Sequence, residues 1–119
     1  MKPFEVIDAE TSNEPRTYAA LALRGYLDAH TVSDFEAYMD RAIEQGMLRF
    51  LVDISELNYM SSAGIGAIMS LTQRLRRADG ELVLLRPSEK VFKILEKLGF
   101  TRIFRLAYSR EEAERILNG

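Results

Sequence analysis

The amino-acid sequence predicts a single α/β domain, built on a mostly parallel sheet with an antiparallel N-terminal edge strand and about four helices, in the order β-β-α-β-α-β-α-β-α. Three observations predict it. Short apolar runs alternate with stretches whose apolar residues recur every three or four positions, as in strands joined by right-handed helical crossovers. The first two apolar runs are separated only by a short polar, Pro-containing stretch, as in a hairpin, so they run antiparallel. Finally, 119 residues suffice for one ordinary core and leave little for a second module.

The elements follow in order. PFEVID (3–8) and TYAALALRG (17–25) read as strands, joined through AETSNEPR (9–16). In TVSDFEAYMDRAIEQG (31–46), Val32, Phe35, Met39, Ala42 and Ile43 make one helical stripe, with Thr31 or Ser33 as N-cap and Gly46 as the residue after the end. LRFLVDIS (48–55) is a compact apolar run, expected as a strand buried on both faces. ELNYM turns the chain into a helix over 62–78, whose stripe is Ile65, Ile68, Leu71, Thr72 and Leu75. After the turn ADG, ELVLLRP (81–87) is another strand. Ser88 caps a helix over 88–100 that ends at Gly99 and aligns Val91, Ile94, Leu95 and Leu98. A weak strand, 102–107, and a helix over 109–118 with Ser109 and Glu112 in capping-box spacing close the chain.

Composition narrows the function classes. Sixteen basic against eighteen acidic residues give a net charge of −2, so nucleic acid is not a favoured partner. Arg74, Arg76 and Arg77 read as the solvated end of a helix. The absence of cysteine excludes disulfides and thiolate zinc sites and fits a cytoplasmic protein. No apolar run approaches the roughly 20 residues that span a bilayer, and MKPFEVID lacks the pattern of a secretory leader, so no membrane insertion is expected. A monomer without cofactor or metal is expected.

The segment NYMSSAGIGAIMSL (58–71) carries the chemistry. Function in open α/β sheets gathers where strand carboxyl ends meet helix N-termini, and two adjacent serines stand there. Ser61 or Ser62 can cap the helix, satisfying one orphan amide for about 1 kcal/mol. A phosphate on the same hydroxyl would meet the same amides and the positive end of the helix dipole. Gly64 and Gly66 each cost roughly 0.5–1 kcal/mol relative to alanine inside a helix, which implies that a neighbouring strand or another protein approaches that backbone closely.

Three other readings fail on the residues. A hydrolase elbow, G-x-S-x-G, lacks its first glycine because Met60 stands there, and His30, the one histidine, precedes the serines. A dinucleotide fingerprint would need a third glycine where Met69 stands. A phospho-receiver would need an acidic pair leading into a helix and a lysine after the last strand. Asp8 and Glu10 lead into a strand instead, and IFRLAYS has no lysine.

LVDISELNYMSSAGIGAIMSL (51–71) resembles the signature of the STAS domain family, named for sulphate transporters and anti-sigma factor antagonists. LRGYLDAHT (23–31) resembles the family's second-strand motif, and the order of elements is similar over about residues 4–117. The resemblance to the small bacterial antagonists implies a non-catalytic partner switch that regulates transcription. Its serine before [STA]-G-[LI]-G matches Ser62, followed by Ala63-Gly64-Ile65-Gly66. That serine would be phosphorylated by an anti-sigma factor with a GHKL-type serine kinase fold and restored by a PP2C-type phosphatase. Unphosphorylated, the chain would hold the anti-sigma factor; phosphorylated, it would release it. Two positions depart from the family pattern: Ser61 stands where many antagonists carry Asp, and Ala63 where they carry Ser or Thr. Ser61 is the less well matched acceptor.

The expected contact patch comprises Asp28, Met60, Ser61, Ser62, Ala63, Gly64, Ile65 and Met69, with Met60, Ile65 and Met69 as an adaptable apolar centre. Asp28 is equally expected as a cap for the helix after it. Asp53 is expected to hold its loop by accepting backbone amides, Tyr59 reads equally as packing or contact, and His30 as a loop residue. The family also implies an alternative, a STAS subunit of an ABC-type lipid transport system or of a stress-signalling scaffold, without phospho-switching.

Overall fold

The computed structural model describes residues 4–8 and 18–118. Its sheet has five strands in chain order: β1 (Phe4–Asp8), β2 (Ala19–Leu27), β3 (Arg49–Met60), β4 (Glu81–Leu85) and β5 (Arg105–Ala107). β1 runs antiparallel to β2, with Val6 opposite Leu23, and the other pairings are parallel. The helices α1 (Val32–Glu44), α2 (Ser62–Arg77), α3 (Glu89–Lys97) and α4 (Arg110–Asn118) alternate with the strands after β2. The single α/β domain expected from the sequence is therefore the one observed. The connection expected over 9–16 lies outside the described residues.

The helices divide unequally between the two faces. Phe35 and Met39 of α1, Ile65, Ile68, Leu71 and Leu75 of α2, and Val91 and Leu95 of α3 pack on Leu21, Leu23, Leu27, Phe50, Val52 and Ile54. On the other face α4 stands alone, setting Ala113 and Leu117 against Tyr18, Ala20, Leu51, Val83 and Leu85. Tyr18 fastens this helix: its hydroxyl donates to the Glu114 carboxylate at 2.8 Å and accepts from Arg110 at 3.3 Å. Because β3 and β4 are covered on both sides, FLV and LVLL read as continuous apolar runs and not as alternating ones.

The largest departure from expectation is β3, which continues through ELNYM to Met60 instead of ending at Ser55. Ala22 pairs with Asp53, Arg24 with Glu56 and Tyr26 with Tyr59, so β3 carries two bulges against β2. Each bulge adds one residue and bends the strand. The core-facing residues after Val52 are consequently Ile54, Leu57 and Met60, three apart, all buried. That spacing breaks the two-residue alternation of a regular strand, which is why ELNYM reads as a turn. At the first bulge the Asp53 carboxylate accepts the Ser55 amide at 2.9 Å.

β4 accompanies β3 only as far as Asp53, opposite Leu85. Beyond it Ser88 takes over. Its amide donates to the Ile54 carbonyl at 3.2 Å, and its hydroxyl donates to the Leu57 carbonyl while accepting the Val91 amide at 3.3 Å. One serine thus caps α3 and holds the β3 extension, satisfying backbone groups that the sheet leaves open.

Smaller differences lie at element ends. A 3-10 turn at Phe100–Arg102 follows Gly99, whose φ is +81°, and delays β5 to Arg105. Leu98, expected on the packed stripe, lies beyond the last helical residue and is 56 % exposed. Ser109 accepts the Glu112 amide at 3.1 Å, but the Glu112 carboxylate takes the Tyr108 amide at 3.3 Å, one residue before the expected capping-box partner. Thr31 and Gly46 take the expected places at the two ends of α1, with Gly46 at φ +93°.

Candidate partner-docking site

The site forms where β2 and β3 end side by side, Leu27 opposite Met60. The last link of this ladder is the Ser61 amide, which donates to the Leu27 carbonyl at 2.9 Å, and α2 begins at the next residue. Ser61 is the N-cap, with extended backbone (φ −83°, ψ 174°) and a hydroxyl that accepts the Gly64 amide at 3.4 Å. Its carbonyl accepts the Ile65 amide at 2.9 Å, the first turn of the helix. The cap role is therefore taken by one of the two serines.

Ser62 is the first helical residue and is exposed, and its hydroxyl has no hydrogen-bond partner among the described residues. Ala63 is exposed beside it. An N-terminal turn leaves amides without intrahelical acceptors, which favours an anion there. The two segments that build this end, 26–31 and 57–66, contain Asp28 and His30 but neither Lys nor Arg. On α2 the first basic residue is Arg74, about 18 Å along the axis at 1.5 Å per residue.

The two glycines have different reasons to be glycine. A Cβ on Gly64 would lie 2.7 Å from the Leu27 carbonyl oxygen, 3.0 Å from Leu27 Cγ and 3.1 Å from Met60 Cγ. The close approach at Gly64 is thus made by the neighbouring strand. A Cβ on Gly66 would meet nothing within 4 Å, and Gly66 is exposed. Nothing inside the domain requires a bare backbone at Gly66.

Of the side chains expected to meet a partner, Ser62 and Ala63 lie open, Ser61 and Met69 are half-buried, and Gly64 is buried. Met60 and Ile65 correct the expectation of an apolar contact centre: they are 1 % and 4 % exposed and belong to the core. The second bulge turns Met60 inward, and the helical stripe that continues through Ile68 turns Ile65 inward. Asp28 is half-buried, and its Oδ1 accepts the amides of His30 at 2.9 Å and Thr31 at 3.2 Å, so it organises the loop before α1. Thr31 completes that loop by donating to the Tyr26 carbonyl at 2.7 Å and accepting the Asp28 amide at 2.9 Å.

Two contributions escaped the sequence reading. Ser88 reads only as a helix cap, because its second role needs β3 to extend. Tyr26, exposed opposite Tyr59, was legible only as the residue between Gly25 and the buried Leu27. No helix among the described residues is long and apolar enough to cross a membrane, and none of their His, Asp and Glu side chains group as a metal site would require.

Known proteins resemble the chain throughout. BtrV of Bordetella bronchiseptica, described as an anti-sigma factor antagonist, is 34 % identical over 91 residues, covering 76 % of this chain and 78 % of BtrV. The anti-sigma factor antagonist SpoIIAA in its unphosphorylated form superposes with a TM-score of 0.73 at 25 % identity, over 95 % of each chain. The Bacillus cell-fate determinant SpoIIAA in its phosphorylated form superposes with a TM-score of 0.66 at 25 % identity, over 95 % of this chain and 98 % of SpoIIAA. The family model of the STAS domain matches residues 7–113, and with the fold and the serine pair at the start of α2 this establishes that the chain belongs to the STAS domain family.

Proposed function

We propose that this chain is an anti-sigma factor antagonist, a non-catalytic regulator of transcription working in the cytoplasm through one STAS domain over about residues 4–117. It binds an anti-sigma factor of GHKL-type serine kinase fold while Ser62 is unphosphorylated. Phosphorylation of Ser62 by that partner releases it, and a PP2C-type phosphatase restores the binding form. The observation that carries the reading is the division of labour between the serines: Ser61 is occupied as the cap, and Ser62 presents an exposed, unbonded hydroxyl on the first turn of α2. The relatives described as antagonists and the phosphorylated form of SpoIIAA support it.

The energetics are adequate. Phosphoserine adds about −1.5 to −2 charges at neutral pH. Desolvating that charge against a docked partner costs several kcal/mol unless a cation meets it. The segments around Ser62 supply no Lys or Arg, and Asp28 adds negative charge to the same rim. Against a typical affinity of roughly 8–12 kcal/mol, such a penalty empties the complex.

The test is incubation with candidate anti-sigma kinases and ATP, read by intact mass, together with binding of Ser62→Ala and Ser62→Asp. One phosphate on the wild type, none on Ser62→Ala, binding by Ser62→Ala and its loss in Ser62→Asp are expected. Binding by Ser62→Asp as tight as the wild type refutes the switch. No phosphate from any candidate kinase leaves the transport or scaffold role.

A further inference from the structure

Large hydrophobic side chains exposed among the described residues fall in two places: Leu98, Ile103 and Tyr108 near the β5 edge, and Tyr26 with Tyr59 on β2 and β3. Nothing shows what would cover the first group. The second group is continuous with the Ser62 end. Tyr26 and Tyr59 are 48 % and 45 % exposed and stand opposite each other on adjacent parallel strands, so both rings leave the same face side by side. Their next neighbours, Leu27 and Met60, enter the core on the other face.

The strand pattern places the tyrosines on the face that α4 covers, where its cluster takes in β2 and β3 only at Ala20 and Leu51. Below them on that face lie the Arg24–Glu56 ion pair and the Ala22–Asp53 rung, so the patch has no apolar depth of its own. Tyr59 precedes Ser61 by two residues and Tyr26 precedes Asp28 by two, about 7 Å of strand in each case.

We infer that Tyr26 and Tyr59 are aromatic anchors of the interface that Ser62 controls, meeting the same anti-sigma factor around the end of the sheet. The inference rests on the docking reading of the Ser62 end and adds two side chains to the contact patch expected there. Exposed Ser62, Ala63 and Gly66 offer little side-chain area, and Met60 and Ile65 are withdrawn into the core. Binding energy has to come from nearby, and tyrosine supplies large contact area with a polar tip. A standard interface buries about 800 Å² per side, a patch far wider than the about 7 Å of strand between Tyr59 and Ser61 or between Tyr26 and Asp28. Two tyrosines and one ion pair are too few to sustain a stable dimer, which buries about 1,200–2,000 Å² in total.

The experiment titrates a purified GHKL-fold anti-sigma factor, chosen because it binds the wild type and not Ser62→Asp, against Tyr26→Ala, Tyr59→Ala and the corresponding Phe variants. Each Ala variant is expected to raise Kd about 10- to 100-fold. The Phe variants should stay close to the wild type, and thermal midpoints should be little changed because both rings are exposed. Wild-type affinity in both Ala variants overturns the inference while leaving the Ser62 switch standing. A concentration-dependent dimer lost in Tyr59→Ala, with affinity for the anti-sigma factor unchanged, also overturns it by assigning the rings to a second copy. If no anti-sigma factor binds the wild type, the docking reading itself falls and takes this one with it.

Discussion

Alanine at Gly64 and at Gly66, two residues apart in one helix, should change stability in opposite directions. Replacing glycine by alanine in a helix gains roughly 0.5–1 kcal/mol where there is room. At Gly66 there is room, since the added methyl meets nothing within 4 Å, and the gain is expected in full. At Gly64 the methyl would stand 2.7 Å from the Leu27 carbonyl oxygen, which already accepts the Ser61 amide at 2.9 Å. Moving that oxygen away strains the ladder bond that seats the helix on the strand end. Overpacking of this kind costs about 1–3 kcal/mol, so after the alanine gain the net effect of Gly64→Ala is a loss of up to about 2.5 kcal/mol. Urea denaturation of both variants decides it, as a shift of midpoint at constant slope. Binding then separates the glycines again: Gly66→Ala puts a methyl on the docking surface and should weaken the partner complex while raising stability. Gly64→Ala at or above wild-type stability would refute the close-approach argument.

Two further substitutions probe the supports of the site. Ser61→Ala removes the cap on the Gly64 amide and should cost about 1 kcal/mol, while intact mass still records one phosphate added at Ser62; loss of phosphorylation at unchanged helix content would mean that Ser61 is the acceptor. Ser88→Ala abandons the Leu57 carbonyl and the Val91 amide together and should cost about 1–3 kcal/mol by thermal or urea unfolding, the larger part coming from the orphaned strand end; an unchanged midpoint would show that Ser88 does not hold β3.

How much was legible follows from how local each signal is. The alternation of periods two and three to four named the elements in order, because which face an element buries is written in its own residues. The serine pair and the motif around Gly64 and Gly66 were likewise local, and they located the site. The structure alone decided the rest, because it depended on pairing between distant segments. Two bulges against β2 carry β3 to Met60 and turn Met60 inward, and no periodicity within ELNYM announces a shift defined by the partner strand. The same pairing sets Gly64 against the Leu27 carbonyl, leaves Gly66 bare, occupies Ser61 as the cap and exposes Ser62. It also brings Tyr26 opposite Tyr59, 33 residues apart in the chain, on a face that α4 does not reach at that end. Sequence by itself determined what each segment would bury; register and the limited reach of one helix decided what would be left for a partner to touch.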